Sequence, residues 1–334
     1  MQMTRISQVP YCILWGIAHI LYKVDIQERV ASVAFENTRT VLGITNGPVR
    51  SAIKGALVSK GFRCLVDAVS MVALHEIIEQ DGADLIITTS KLAYDDATML
   101  IREMRHNRLG NNPFIAVIML LESPDKDELI RVVNAGVDDV LLMPISPSQL
   151  FARIEAIKKT RKSFVFTHDY VGPDRRKDER PGTAPALTYE PPNPMKLRDD
   201  AMIDENRYAV QVRNGLQVYR RIMMAVQSRQ LEWLAGQVAV GCRDSNIPVK
   251  ETAANAARLV NIGQDLGKRL SGDEYKDHLS LVMSMVLLAR QISSDPRASA
   301  LDTLSKMVDA AKDLKQRLAP PSPGTANAGS KAWN

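Results

Sequence analysis

The sequence predicts an α/β fold: a five-stranded, doubly wound parallel sheet, followed by a separate all-α helical bundle. Three observations predict it. Between residues 39 and 156, short apolar runs alternate five times with helical stretches, the pattern of βαβ units. The short runs do not alternate polar with apolar, as suits strands covered on both faces. From about residue 199 the apolar spacing becomes helical and stays so to residue 319.

The elements follow in order. Residues 41–44 make the first strand, and Pro48 opens the first helix, where its missing N–H costs nothing. Val49, Ile53, Ala56 and Leu57 share one face of that helix, which Gly61 ends. Residues 64–66 are a short second strand, and 70–80 a helix with Ala73, Leu74, Ile77 and Ile78 inward. The third strand is 85–88, with a loop to Asp96 and a helix over 98–106. Residues 114–120 form a longer apolar strand, 125–134 a helix, 140–142 the last strand and 146–158 the last helix. In such sheets the site lies beyond the carboxyl ends of the strands, which here carry Thr45, Asn46, Thr89 and Met143.

The chain then divides by composition. Residues 1–38 are an extension containing an apolar run at 11–22. Twelve residues fall short of the roughly 20 that span a bilayer, so a packing or interfacial helix is expected, with a membrane anchor as the alternative. Residues 39–158 are the α/β domain. Residues 159–198 are basic and Pro-rich and read as a solvated linker. The pair Arg176 and Arg180 matches half of a cyclic-dinucleotide signature, but the rest of that signature is missing.

The bundle occupies 199–319 and a disordered tail 320–334. A first tract reaches Cys242; unbroken it would be about 60 Å long, so a break is expected at 227–230. Pro248 opens the next helix, Ser271 with Glu274 forms a capping box, and Asp295-Pro296 caps the last helix.

With 334 residues, 45% hydrophobic and 24% charged, the chain can bury two cores. Net charge +5 is too small an excess to argue nucleic-acid binding unaided. Cys12, Cys64 and Cys242 are scattered, without CxxC or metal spacing, which suits a reduced, cytoplasmic protein.

The α/β stretch resembles the CheY-like response-regulator receiver family. Residues 39–48, RTVLGITNGP, stand where the family has a hydrophobic strand, two acidic residues and Pro. Residues 84–89, DLIITT, stand where it has Asp-Leu-Ile, two apolar residues and the phospho-acceptor Asp. Residues 134–144, NAGVDDVLLMP, stand where it has Ala-Gly-Ala-Asp-Asp, a strand and Lys-Pro.

The resemblance implies a two-component signalling domain whose pocket is degenerate. The acidic pair becomes Thr45 and Asn46, the acceptor Thr89 and the lysine Met143. The strand-end hydroxyl falls at Leu120 or Leu121, and the aromatic switch becomes Val140. Phosphoryl transfer to a receiver needs a carboxylate nucleophile, carboxylates for Mg²⁺ and a balancing cation. None is present, so a pseudo-receiver is expected: not an enzyme, without cofactor, metal or small-molecule substrate. It would bind protein partners of a signalling pathway, or itself, through a face carrying Lys126, Asp127, Arg131, Asp138, Asp139 and Val140.

Two alternatives stay open. One is a working phosphorelay component, either as receiver or as a phosphotransfer bundle. His278, the only bundle His, is not followed by the Lys and small residue such a carrier needs. The other is a DNA-binding regulator, against which the mixed charges of the long bundle helices argue. His19, His75, His106 and His168 suggest no metal cluster.

Overall fold

A computed structural model describes residues 35–123, 125–176, 187–199, 205–297 and 300–319. The apolar run at 11–22, Arg180 and the tail lie outside them. The chain divides into two units: Met1–Arg161 with Pro192–Ala209, and Lys162–Pro191 with Val210–Asn334.

In the first unit, β1 (Thr40–Gly43), β2 (Leu65–Asp67), β3 (Leu85–Thr89), β6 (Ala116–Leu121) and β7 (Asp139–Leu142) form a parallel sheet in the order β2-β1-β3-β6-β7. A two-stranded ribbon, β4 (Lys91–Leu92) with β5 (Asp95–Asp96), follows β3. Successive strand residues point to opposite faces, and each face builds its own core. Val41, Ile86, Val117 and Met119 meet α2 (Met71–Glu79), α3 (Ala97–Arg105) and α4 (Lys126–Asn134). Leu42, Ile87, Ile118 and Leu120 meet α1 (Gly47–Ser59) and α5 (Pro147–Lys159).

Helix starts are capped by side-chain oxygens that accept otherwise unpaired N–H groups. Asn46, Ser70, Asp96 and Asp125 cap α1 to α4, and Ser146 with Gln149 forms a capping box on α5.

The expected linker is the main difference from the sequence reading. Residues 162–191 carry three short strands, β8 (Phe164–Phe166), β9 (Val171–Pro173) and β10 (Leu187–Tyr189), antiparallel in the order β10-β8-β9. Phe164 and Phe166 are buried, and Phe166 meets Tyr219 edge-on at 5.4 Å. Aromatic burial outweighs the Pro and charge content that argued for a solvated stretch. Residues 192–209 instead belong to the first unit, through α6 (Pro194–Asp199) and the opening turn of α7 (Glu205–Arg243). Met195 is fully buried in the α1/α5 core.

Helix α7 is continuous over 39 residues, so the expected break at 227–230 is absent. Gln227 and Ser228 there are buried, and each donates a hydrogen bond. Ser228 Oγ donates to Ala225 O at 3.0 Å, and Gln227 Nε2 donates to Asp265 Oδ2 at 2.5 Å. The helix has cover along its length: Tyr219 packs on the small sheet, and Leu231, Leu234 and Val238 enter the bundle core.

Helices α8 (Val249–Arg269), α9 (Lys276–Ser294) and α10 (Leu301–Arg317) complete the bundle. A Cβ at Gly263 would lie 2.6 Å from Val286, so glycine admits the close approach of α8 and α9. Two expected caps are absent. A 3-10 turn at Asp273–Tyr275 precedes α9, and no side chain caps it. Asp295 ends α9, while α10 starts after Ala300 without a side-chain cap. No helix among the described residues is long and apolar enough to cross a membrane.

Candidate functional site: a neutral pocket at the carboxyl edge of the sheet

The parallel order brings Thr45 and Asn46, after β1, beside Thr89 at the end of β3 and Leu120 on β6. The side-chain oxygens of Thr45, Asn46 and Thr89 each have a backbone partner. Asn46 Oδ1 accepts from Val49 N at 3.1 Å, so its oxygen is used as the α1 cap. Thr45 Oγ1 accepts from Ala93 N at 2.9 Å, which ties the tip of the β4-β5 ribbon to the end of β1. Ala93 holds a left-handed φ of 59°, leaving Tyr94 fully exposed at the turn.

Thr89 is 5% exposed, and its hydroxyl donates to Lys91 O at 2.6 Å. Thr88 Oγ1 donates to Gly43 O at 2.9 Å. Gly43 leaves room for it, because a Cβ there would come within 2.4 Å of that oxygen. Arg50 donates to Ile44 O at 2.6 Å and Thr45 O at 3.2 Å, which covers the end of β1 with a guanidinium. Leu120 is fully buried and Leu121 nearly so, in the cores on opposite faces of the sheet. Met143 is half-buried and packs against the α1/α5 core.

The chemistry follows from these contacts. Mg²⁺ takes carboxylates and waters. Here Thr45, Asn46 and Thr89 offer only neutral oxygens engaged with backbone groups, the Glu128 carboxylate accepts from Ser90 Oγ at 2.5 Å, and Asp96 is occupied capping α3, where it accepts from Thr98 N at 2.9 Å and Thr98 Oγ1 at 2.6 Å. The residues do not fit the divalent ion of a phosphorylatable receiver. Among the described residues no group of three or more His, Cys, Asp or Glu is placed to hold a metal. A hydroxyl donating to a carbonyl, with no base to accept its proton, is a poor nucleophile.

Of the residues expected on an interaction face, Lys126, Asp127 and Arg131 lie on α4, and Asp139 and Val140 on β7. Lys126 and Asp127 are exposed on α4, and Arg131 lies 3.9 Å from Asp96. Asp139 lies 3.6 Å from Arg153, and Val140 is half-buried against the core. Exposed Leu129, Ile130 and Leu142 add apolar area that the charge-led reading missed.

Asp138 does not belong to that face. Its side chain is 3% exposed and receives Arg105 Nη2 at 2.8 Å, Arg161 Nε at 2.8 Å and Val117 N at 2.9 Å. Burial alone would raise its pKa; Arg161 and then Arg105 outweigh burial and hold the carboxyl below the usual range. Arg161 also donates to Pro192 O at 3.0 Å.

A second buried carboxylate lies at the same, amino-terminal edge of the sheet. Asp84 accepts from Arg39 Nη2 at 2.9 Å, Arg198 Nε at 3.1 Å and the Tyr208 hydroxyl at 2.8 Å. Burial, then the Asp84 charge, raises the pKa of Tyr208. His278 is half-buried on α9, edge-on to Tyr275 at 5.7 Å.

No family model matches the chain. The phosphate regulon transcriptional regulatory protein PhoB of Pseudomonas aeruginosa is 30% identical over 120 residues, 36% of this chain and 51% of that protein. The transcriptional regulatory protein GltR of the same organism is 32% identical over 124 residues, 36% of this chain and 49% of that protein. The chain thus spans about half the length of the curated relatives it matches. Among solved structures, a response regulator from Thermotoga maritima is 26% identical with a TM-score of 0.32, covering 37% of this chain and 99% of that one. A CheY-like receiver domain protein from Methanospirillum hungatei is 21% identical with a TM-score of 0.31, covering 35% and 91%. With the parallel order β2-β1-β3-β6-β7 and its flanking helices, the N-terminal part of this chain is a CheY-like response-regulator receiver domain, followed by a mostly helical C-terminal region.

Proposed function

We propose that the receiver domain works in signal transduction without accepting phosphate, as a protein-interaction module joined to a helical docking unit. One observation carries this reading. Thr89 stands at the acceptor position, is buried, and spends its hydroxyl proton on the carbonyl of Lys91. The rest of the pocket supports it: Thr45 and the capping amide of Asn46 stand in place of the acidic pair, Met143 in place of the lysine, and Arg50 covers the strand-end carbonyls. The protein is then no enzyme and needs no metal. Its contacts are made by the surface of α4 around Lys126, Ile130 and Arg131 and by Leu142 at the end of β7, with a signalling protein or a second copy as partner.

The test is incubation with Mg²⁺ and acetyl phosphate, read by intact mass. The expected result is no change. A gain of one phosphate that Thr89→Ala abolishes would overturn the reading.

A second reading takes its motive from the relatives' names, both of which are transcriptional regulatory proteins. On that reading the C-terminal unit contacts DNA. A salt-dependent gel shift with duplex DNA that survives removal of residues 1–34 would favour it over protein docking.

A further inference from the structure

The groove between α1 and α5 is distinct from the pocket and from the α4 surface. Its volume is about 350 Å³, and it is lined by Ala56 and Leu57 on α1, Lys60 just after it, and Ser148, Phe151 and Ala152 on α5. Its floor is apolar, since Leu57 is buried and Phe151 half-buried. Its walls are small, since Ala56, Ser148 and Ala152 leave room for a large side chain.

The chain enters beside this groove. Phe35 is 2% exposed, stacks on Phe62 with centroids 4.5 Å apart, and meets Phe151 edge-on at 5.5 Å. Lys158 lies over the Phe35 ring at 4.0 Å, and Lys60 over the Phe151 ring at 5.1 Å. Phe151 is therefore shared: one edge receives Phe35, and the remainder lines the groove. Thr38 N donates to Phe35 O at 3.1 Å, which fixes the turn through which residues 1–34 arrive.

The upstream sequence matches what the groove lacks. Residues 11–22, YCILWGIAHILY, carry no charged side chain and hold Trp15 among large aliphatics. The twelve residues 23–34 can reach about 40 Å when extended, more than enough to return to a groove bordered by Phe35's own ring partner. An apolar run of this length is short for a bilayer and costly to leave in water.

From this groove, its aromatic edge and the point of chain entry, we infer that residues 11–22 of the same molecule occupy the α1–α5 groove, with Trp15 or a neighbouring aliphatic seated between Ala56 and Ala152. The segment then covers a receiver surface in cis. This inference is independent of whether the pocket accepts phosphate.

Trp15 provides the probe. The full chain and its Trp15→Phe variant give a difference emission spectrum that isolates this indole from Trp233 and Trp333. The expected spectrum is blue-shifted, and acrylamide quenches it several-fold less than free indole. Ala152→Arg, at an exposed position, should restore the quenching of a free indole, whereas Ala152→Ser should not. Circular dichroism on both variants checks that they fold. Protection should survive dilution, because the contact is intramolecular. The inference fails if Trp15 is quenched freely in the parent, or if Ala152→Arg leaves its protection unchanged. It also fails if dilution removes the protection, which makes a second copy the occupant, or if protection arises only on adding phosphatidylglycerol vesicles, which makes the run a membrane anchor.

Discussion

Restoring the acceptor carboxylate at Thr89 should harm this domain rather than repair it. The Thr89 hydroxyl donates to Lys91 O at 2.6 Å and lies 3.4 Å from Gly43 O. Thr89→Asp replaces a donor with a charge that faces two carbonyl oxygens at a 5% exposed site. The lost hydrogen bond costs about 1 kcal/mol. Desolvation raising the introduced carboxyl by one or two pKa units adds about 1.4–2.8 kcal/mol at neutral pH. Together the loss is about 2–4 kcal/mol at pH 7.

The sign of the pH dependence follows. A carboxyl whose folded pKa is raised destabilises fully above that pKa, and not at all below its unfolded value near 3.9. Urea unfolding of variant and parent should therefore differ most at pH 7, and toward pH 4 only the hydrogen-bond loss of about 1 kcal/mol should remain. Adding Met143→Lys should recover about 1 kcal/mol as coupling in a double-mutant cycle. If Thr89→Asp is as stable as the parent at pH 7, the pocket is not adapted to neutrality, and the reasoning is refuted.

Asp138→Asn strands two buried guanidiniums and should cost about 3–5 kcal/mol in urea unfolding. Because the Asp138 pKa is lowered in the fold, its contribution is complete above its unfolded value near 3.9. It is lost as pH falls through the folded value, so parent and variant should differ fully above about pH 4 and converge as acid titration proceeds below it. Tyr208→Phe removes the hydroxyl that donates to Asp84 and should cost about 1–2 kcal/mol; hydrogen exchange over residues 192–199 should rise with it. Arg131→Glu breaks only a long, exposed pair, so stability should move by less than about 1 kcal/mol, while self-association or partner pull-down weakens. Binding indifferent to that change would move the interaction face elsewhere.

The sheet was readable because each strand announces itself locally. Val41, Ile86, Ile87, Val117 and Ile118 are β-branched and covered on both faces, and three fixed anchors set the register. The pocket was readable for the same reason, since Thr45 and Asn46 closely follow β1, Thr89 ends β3 and Met143 follows β7. What the residues do there was not readable: the capping role of Asn46 and the tie from Thr45 to Ala93 depend on a ribbon of two-residue strands. Asp138 was misplaced because its arginine partners lie 33 and 23 positions away, and charge in a sequence reads as surface. The 162–191 sheet was missed because its strands are three residues long, and Phe166 becomes a core residue only when Tyr219 meets it.

The distribution of charge separates the two ends of the sheet. At the carboxyl edge, where the receiver resemblance calls for acidic residues and a lysine, the pocket positions hold neutral side chains engaged with backbone groups. At the amino edge, Asp84 and Asp138 are buried with four arginines, Arg39, Arg198, Arg105 and Arg161. Buried ion pairs contribute little net stability but penalise any arrangement that leaves one partner alone. Arg161 binds Pro192 O and Arg198 binds Asp84, so these pairs fix residues 192–209 to the receiver domain in one place. A receiver that switches needs two states of similar energy at its carboxyl edge. Here the pocket positions at that edge carry neutral side chains, and the opposite edge carries pairs that resist separation. On the proposed phosphate-independent reading, this asymmetry makes the domain a fixed platform whose selectivity comes from the surfaces it presents.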